Sequence, residues 1–185
     1  MLKYEVNGKK VNVLRPIGEG GYSQVFEVYD KVKSSSKNYF NIQISLKNKK
    51  IFALKTVNLA NQSERAKTDL IKEIVFLEKL KNCSGVVKAF EYELKETDDS
   101  HWMYVLMEKG DMDLFQVLAA ARENDNLTPS KLRFYWEQML QAVRDVHNMN
   151  IIHADIKPGN FLLVAGQLKL IDFGLAMEEV PGHST

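Results

Sequence analysis

The first part of the chain carries short apolar runs separated by turn residues, a pattern typical of β-strands. Residues 11–30, "VNVLRPIGEGGYSQVFEVYD", have apolar segments on both sides of a glycine-rich turn and predict a β-hairpin. The segments "IFALKTVNL", "GVVKAFEYEL" and "HWMYVLME" predict three more strands. Residues 31–50 are polar and rich in Lys, Ser and Asn, and predict a long, poorly ordered hairpin connection. The pattern therefore predicts a lobe of roughly five strands.

Helical spacing appears once within this part and dominates after Gly110. Residues 63–81 repeat apolar positions at the spacing of one helix face, with Ser63 as a candidate N-cap. Asp111 or Asp113 could cap a helix over "LFQVLAAARE". A longer helix is predicted from Thr128, since a proline follows it at the first helical position. The apolar stripe of that longer helix is Leu132, Trp136, Met139, Val143 and Val146.

The composition, net charge and cysteine count of the chain exclude several classes of function. Hydrophobic residues make up 45% of the 185 residues and charged residues 26%, which is typical of a globular protein. The net charge of +1 gives no indication of nucleic-acid or membrane-surface binding, which usually needs a basic excess. The single cysteine, Cys83, excludes an internal disulfide and a cysteine-rich zinc site. With no signal peptide or membrane-spanning apolar run, the expectation is a soluble intracellular protein.

Three features of the strand-rich part have two interpretations each. Glycines Gly18, Gly20 and Gly21 let backbone N–H groups approach phosphate oxygens, but a glycine-rich hairpin is more often only a turn. Lys55 in "FALK" and Glu73 in "IKEIVF" are each most simply solvated surface residues. Together they suggest a lysine that holds phosphates and is itself positioned by a carboxylate.

The segment "IIHADIKPGNFLL", residues 151–163, places polar residues between apolar runs, as in a loop anchored at both ends. Its alternative is an ordinary Pro-Gly-Asn surface turn. Asp155 could accept a proton from a hydroxyl group while Lys157 neutralises charge on the group being transferred. Asn160 and Asp172, the latter in "IDFG", offer the amide and carboxylate oxygens that suit Mg²⁺. We expect His153 to be a packed histidine that positions the loop.

The order of these motifs resembles that of eukaryotic protein kinase domains over nearly the whole chain. The segments "LMEKGDMDL", "YWEQMLQAVRDVH", "HADIKPGNFLL" and "GQLKLIDFGLA" are further similar to the monopolar-spindle (TTK-type) family of dual-specificity kinases. The resemblance implies an α+β, two-lobed fold with a five-stranded antiparallel N-lobe sheet and one helix over residues 1–108. It implies an incomplete helical C-lobe over residues 109–185.

The resemblance also implies a reaction and its setting. The chain would transfer the ATP γ-phosphate, with Mg²⁺, to Ser or Thr of protein substrates, and to Tyr if the dual-specificity resemblance holds. Kinetochore proteins would be partners in the mitotic spindle checkpoint, and the protein would be found in the cytoplasm or nucleus and at kinetochores. Neither nucleic acid nor a membrane is expected as a partner.

Individual roles follow from the same resemblance. Asp155 would be the catalytic base and Lys157 would contact the γ-phosphate, while Lys55 would hold the α- and β-phosphates and pair with Glu73. The nucleotide would be bound by a glycine-rich loop over its phosphates and by apolar side chains on both sides of the adenine. A gatekeeper residue and a hinge segment would complete the site. The implied metal ligands are Asn160 and Asp172. The implied nucleotide-binding residues are Ile17, Gly18, Gly20, Gly21, Val25, Ala53, Lys55, Met107, Glu108, Gly110 and Leu162.

Three departures from the family pattern affect expectations. Ser23 stands where a third loop glycine is usual, and Ala154 stands where an arginine normally engages a phosphorylated activation loop. The sequence ends eleven residues after Gly174, before the rest of the activation segment. We therefore expect a fragment or an incomplete gene model that folds poorly alone, or survives only with its exposed apolar face covered, and shows little or no turnover. The alternative function is a truncated or pseudokinase-like module that binds nucleotide or a partner without turnover.

Overall fold

The computed structural model describes residues 2–20, 22–30, 50–60, 62–97 and 100–179. Gly21 and residues 31–49 of the predicted hairpin connection lie outside the described residues. The chain divides into two compact units, Met1–Gln62 with Ala89–Lys109, and Ser63–Lys88 with Gly110–Thr185. The sequence-based division into residues 1–108 and 109–185 stays a prediction.

The first unit contains an antiparallel sheet with six strands among the described residues, in the order β1-β2-β3-β4-β6-β5. The sequence pattern predicted five; the additional strand is β1, which pairs with β2 through Val6↔Lys9. Asn7 and Gly8 join them with φ of 48° and 80°, the left-handed backbone of a tight hairpin turn. The strands are β1 (Lys3–Val6), β2 (Lys9–Glu19), β3 (Ser23–Asp30), β4 (Lys50–Asn58), β5 (Ala89–Thr97) and β6 (Ser100–Met107).

One face of this sheet holds the hydrophobic core of the first unit, and β1 folds over it. The backbone N–H of Asn7 donates to the Glu93 carboxylate at 2.8 Å, and Lys95 Nζ donates to the Glu5 carbonyl at 2.7 Å. The two end strands of the sheet, β1 and β5, are therefore bonded to each other. The buried core cluster is Val6, Val11, Phe26, Val28, Phe52, Leu54 and Leu106.

The second unit contains three α-helices among the described residues, each with the N-cap bond that its sequence predicts. The Ser63 hydroxyl accepts from the Ala66 N–H at 3.2 Å, and Thr128 accepts from the Lys131 N–H at 3.3 Å. Of the two aspartates considered for the middle helix, Asp113 is the cap. The helices are α1 (Glu64–Lys79), α2 (Leu114–Glu123) and α3 (Pro129–His147).

Short strands and a 3-10 helix complete the second unit. The hairpin β8 (Phe161–Val164) and β9 (Gln167–Leu170) follows a 3-10 helix over Pro158–Asn160. The two-residue strands β7 (Ile151–Ile152) and β10 (Met177–Glu178) pair antiparallel. Both strand pairs flank residues 153–160 and 171–176, so they hold the ends of the two polar loops that the sequence singled out.

A close backbone contact packs the segment after α1 against α3 and β9. The Leu170 N–H donates to the Gly85 carbonyl at 2.8 Å. A Cβ on Gly85 would lie 2.6 Å from the Cα of Ala142, closer than any real contact. Only glycine fits at this crossing without a backbone shift.

The apolar stripe of α3 is buried at one end and exposed at the other. Val146 is fully buried, whereas Leu132 is 44% and Trp136 58% exposed. The expectation that the chain folds poorly alone stays a prediction. No helix in the described part of the chain is long and apolar enough to cross a membrane.

Candidate active site

The face of the sheet opposite the core cluster gathers most of the nucleotide-binding residues predicted in the first unit. Residues paired directly across antiparallel strands project from the same face. One row across β2, β3 and β4 is Gly18↔Val25↔Lys55. The neighbouring row includes Ala53, paired with Met107 of β6. The five residues therefore form one continuous patch.

The glycine turn at the end of β2 is closed by two backbone hydrogen bonds. Gly20 donates to the Ser23 carbonyl at 2.8 Å, and Ser23 donates back to the Gly20 carbonyl at 3.3 Å. A Cβ on Gly20 would lie 2.9 Å from the Ser23 hydroxyl, so a larger residue there would make the Ser23 side chain rotate away. A Cβ on Gly18 would make ordinary contact with Val25 at 3.6 Å, so the turn does not require glycine there. The absent side chain leaves room for a ligand at Gly18.

In the second unit, His153 holds two loops together. Its ring is 2% exposed and lies edge-on to Phe173, with 4.8 Å between centroids. Nδ1 accepts from the Asp155 N–H at 3.3 Å, so the proton is on Nε2, which donates to the Ile171 carbonyl at 3.0 Å. The structure places His153 as the packed residue that its sequence context predicts.

The Asp155 carboxylate receives two side-chain donors. Lys157 Nζ lies 2.6 Å and Asn160 Nδ2 2.8 Å from the same oxygen, Oδ2. These bonds, that of Lys157 above all, hold the pKa of Asp155 below its ordinary value and keep it ionised. The bond to Asp155 in turn raises the pKa of Lys157, and the charge of Asp172 adds to this effect. Three of the predicted residues are thus in direct contact, and Asp172 is close enough to act on one of them.

The two loops, residues 153–160 and 171–176, have unusual backbone conformations at or beside the predicted site residues. Ala154 and Asp172 have φ of 61° and 64°, the left-handed region that costs energy for any residue with a Cβ. The Ile171 N–H donates to the Asn160 carbonyl at 3.0 Å, and the Gly174 N–H contacts Asp172 Oδ1 at 3.4 Å. The strained aspartate is therefore held by bonds on both sides.

The donor set of these loops fits a divalent cation of the magnesium type. Asn160 Nδ2 also donates to the Asp155 backbone carbonyl at 2.8 Å, which turns the Asn160 amide oxygen away from Asp155. One carboxylate and one amide oxygen, completed by water and phosphate, are what Mg²⁺ prefers. Within the described ranges, no three His, Cys, Asp or Glu side chains form a cluster that would suit zinc.

The segment Gly110–Met112 is bonded to β8, which brings two more predicted residues together. Asp111 N–H donates to the Leu163 carbonyl, and Leu163 N–H donates to the Met112 carbonyl, both at 2.8 Å. A Cβ on Gly110 would lie 2.1 Å from Leu162 Cγ, so glycine is required beside that side chain.

One predicted side-chain pair has its two residues in different units. Glu73 is 7% exposed on α1 in the second unit, while Lys55 belongs to the first. Their pairing stays a prediction.

Sequence reasoning did not single out Arg15 and Glu27, an ion pair in the same row as Ala53. The alternation Val25-Phe26-Glu27 could have indicated it, since Glu27 shares a face with Val25.

The chain belongs to the protein kinase domain family, whose sequence profile matches residues 11–185. A domain of this family uses ATP and a divalent metal ion. Among curated proteins it is similar to the dual specificity protein kinase TTK of Mus musculus, with 35% identity over 95% of this chain and 18% of that protein. It is also similar to the serine/threonine-protein kinase MPS1 of Saccharomyces cerevisiae, with 35% identity over 97% and 20%.

A third relative is the serine/threonine-protein kinase mph1 of Schizosaccharomyces pombe, with 36% identity over 86% of this chain and 21% of that protein. The chain thus spans about a fifth of the length of these relatives. The resemblance to protein kinases, and to their TTK type, is confirmed. So is an α+β fold with an antiparallel sheet, one strand larger than predicted.

Proposed function

We propose that the chain is an ATP-dependent protein kinase domain that transfers the γ-phosphate to Ser or Thr hydroxyls, and to Tyr in a dual-specificity setting. The observation that carries this proposal is the bonded set Asp155, Lys157 and Asn160, with Asp172 close by. A carboxylate kept ionised beside an ammonium group suits a reaction in which a hydroxyl loses its proton while a negatively charged group is transferred.

Asp155 would orient the incoming hydroxyl and accept its proton. Both described donors contact Oδ2, so Oδ1 is the oxygen we assign to the substrate hydroxyl. Lys157 would balance the charge of the γ-phosphoryl group as it moves. Lys55, positioned by Glu73, would hold the α- and β-phosphates.

Asn160 and Asp172 would hold Mg²⁺, which supplies positive charge to the phosphate oxygens when bound. Backbone N–H groups of the glycine turn would face the phosphates, and apolar side chains would enclose the adenine. Val25, Ala53 and Leu162 would enclose the adenine, with Met107 as gatekeeper and Glu108 to Gly110 as the hinge. The segment from Ile17 to Val25, with Gly18, Gly20 and Gly21, would cover the phosphates.

The similarity to TTK and MPS1 kinases supports a role in mitotic spindle checkpoint signalling. Kinetochore proteins would then be substrates or partners, and the chain would act in the cytoplasm or nucleus and at kinetochores. Residues 1–108 and 109–185 would be the N-lobe and the start of the C-lobe.

The first test separates binding from chemistry. Mg-ATP should raise the melting temperature of the wild-type chain, and Asp172→Ala should remove the Mg²⁺-dependent part of that shift. Phosphate transfer to a generic protein substrate is followed with protein in excess over ATP, so that slow turnover still registers. Asp155→Asn should lower the transfer rate by about 10²–10⁴-fold while ATP binding is retained. Binding without any transfer by the wild type would favour the nucleotide-binding module. Absence of ATP binding would exclude the kinase and the nucleotide-binding module and leave only a partner-binding module.

A further inference from the structure

The strand that leads into the glycine turn is irregular in two places. The register of β2 on β3 shifts once between Val13 and Arg15 and again between Pro16 and Gly18. Each shift is a bulge, in which one residue of β2 has no partner on β3. The two inserted residues are Leu14 and Ile17.

The block of β2 between the two bulges is only two residues long. Only Arg15 and Pro16 are in register there, opposite Glu27 and Phe26. Proline has no N–H to donate, so β2 offers a single backbone donor in this block. A turn attached to such a block could slide by one residue, which would move Gly18 and Gly20 relative to β3.

A side-chain ion pair lies at this block. Arg15 Nε and Nη2 lie 2.9 Å and 2.8 Å from Glu27 Oε2. The Glu27 side chain is only 11% exposed, so its charge is costly without a partner, whereas the Arg15 side chain is 66% exposed. The pair therefore favours the one register that brings Arg15 opposite Glu27.

The ion pair is also next to the patch formed by Gly18, Val25, Lys55, Ala53 and Met107. Glu27 is directly opposite Ala53 on β4, and the adjacent row contains Gly18, Val25 and Lys55. Arg15 and Glu27 therefore lie one row away from Gly18, at the start of the glycine turn.

We propose that Arg15 and Glu27 are positioning residues for the glycine turn: their ion pair fixes the register of β2 between the two bulges and so sets the turn where it meets the nucleotide phosphates. The inference rests on the proposed function for its nucleotide arm. The second part of the test, the register arm, measures the strand register in the ligand-free protein and does not depend on the proposed function.

The nucleotide arm compares ATP with adenosine on the full chain. Arg15→Met keeps the aliphatic stem and removes the charge, and it should weaken ATP binding by roughly three- to tenfold. Adenosine lacks phosphates, so its Kd should change by less than about twofold. Arg15→Lys restores a cation and should recover most of the ATP affinity. Equal losses for ATP and adenosine would overturn the proposal, since they would indicate general loosening of the sheet.

Lys10→Met is the matched control. Lys10 is also on β2, and its ion pair with Glu5 across β1 is a cross-strand pair of the same kind, 3.6 Å long and away from the glycine turn. This variant should leave both Kd values unchanged. An ATP-specific loss in Lys10→Met as large as that in Arg15→Met would also overturn the proposal.

The register arm uses amide hydrogen exchange without nucleotide. Arg15→Met and Glu27→Gln should each speed exchange of amides over Ser23–Asp30, while Ala89–Thr97 and Ser100–Met107 stay as in the wild type. The double variant should add little to either single change, because both remove the same interaction. Unchanged exchange over Ser23–Asp30 would overturn the proposal. If wild-type protein binds no ATP, the proposed function fails, while this arm still decides the register claim.

Discussion

At the scale of single residues, the proposed chemistry rests on the geometry of Asp155 and its two donors. The spacing of "HADIKPGN" indicated the residue types, and the packed role of His153 could be predicted from its lack of a metal-ligand partner. That both donors converge on one carboxylate oxygen could not be predicted, since it depends on the 3-10 turn at Pro158–Asn160. Arg15 and Glu27 were missed because two bulges disrupt the alternation of β2 that sequence reasoning relies on.

The depressed pKa of Asp155 gives a prediction with a definite sign. A carboxyl group whose pKa is lowered on folding contributes stability above its unfolded pKa and loses it as pH falls through the folded value. Lys157→Met removes the largest cause, so the pKa of Asp155 should rise towards that of an ordinary aspartate. A carboxyl-carbon NMR titration of both proteins measures the change. Lys67→Met, which removes a similar ion pair with Glu64, is the control, and an unshifted Asp155 in Lys157→Met would contradict the assignment.

At the scale of elements, helices were predicted more accurately than strands. Ser63 and Thr128 cap as expected because a capped helix end is a local feature of sequence. Strand β1 was missed, although Asn7-Gly8 is a hairpin signal, because four residues are too few to show a clear alternation. The crossing of Gly85 and Ala142 joins segments more than fifty residues apart, which no local pattern reveals.

That crossing gives a prediction about stability. Gly85→Ala places a methyl group against the α3 backbone, and overpacking of this kind costs about 1–3 kcal/mol of unfolding free energy. Gly159→Ala is the matched control, since a Cβ there has no atom within 4 Å and should change stability by less than about 0.5 kcal/mol. Urea unfolding of the three proteins measures both, and equal stability of Gly85→Ala and wild type would show that the crossing relaxes freely.

At the scale of the whole molecule, the family and its site motifs were readable from the sequence because protein kinases place reactive residues in a fixed order. The α3 stripe was predicted as one apolar face, yet only its C-terminal end is buried among the described residues. Helical periodicity identifies which residues share a face but carries no information about what packs against each part of it.

The exposed end of the stripe predicts self-association. Leu132→Gln with Trp136→Gln should leave the melting temperature within about 2 °C of wild type, since neither side chain is well buried. Sedimentation should show less association in this variant. Val146→Ala, at the fully buried end, is the contrast and should cost about 1–3 kcal/mol. A large loss of stability in the double glutamine variant would mean that the N-terminal end of α3 is packed after all.

The β1–β2 hairpin has a consequence for aggregation at high protein concentration. Without β1, strand β2 would present a row of bare N–H and C=O groups that another copy could extend into a shared, growing sheet. Because β1 occupies that row, and the Asn7 N–H that follows it is bonded to Glu93, we expect β2 to be unavailable for pairing with another copy.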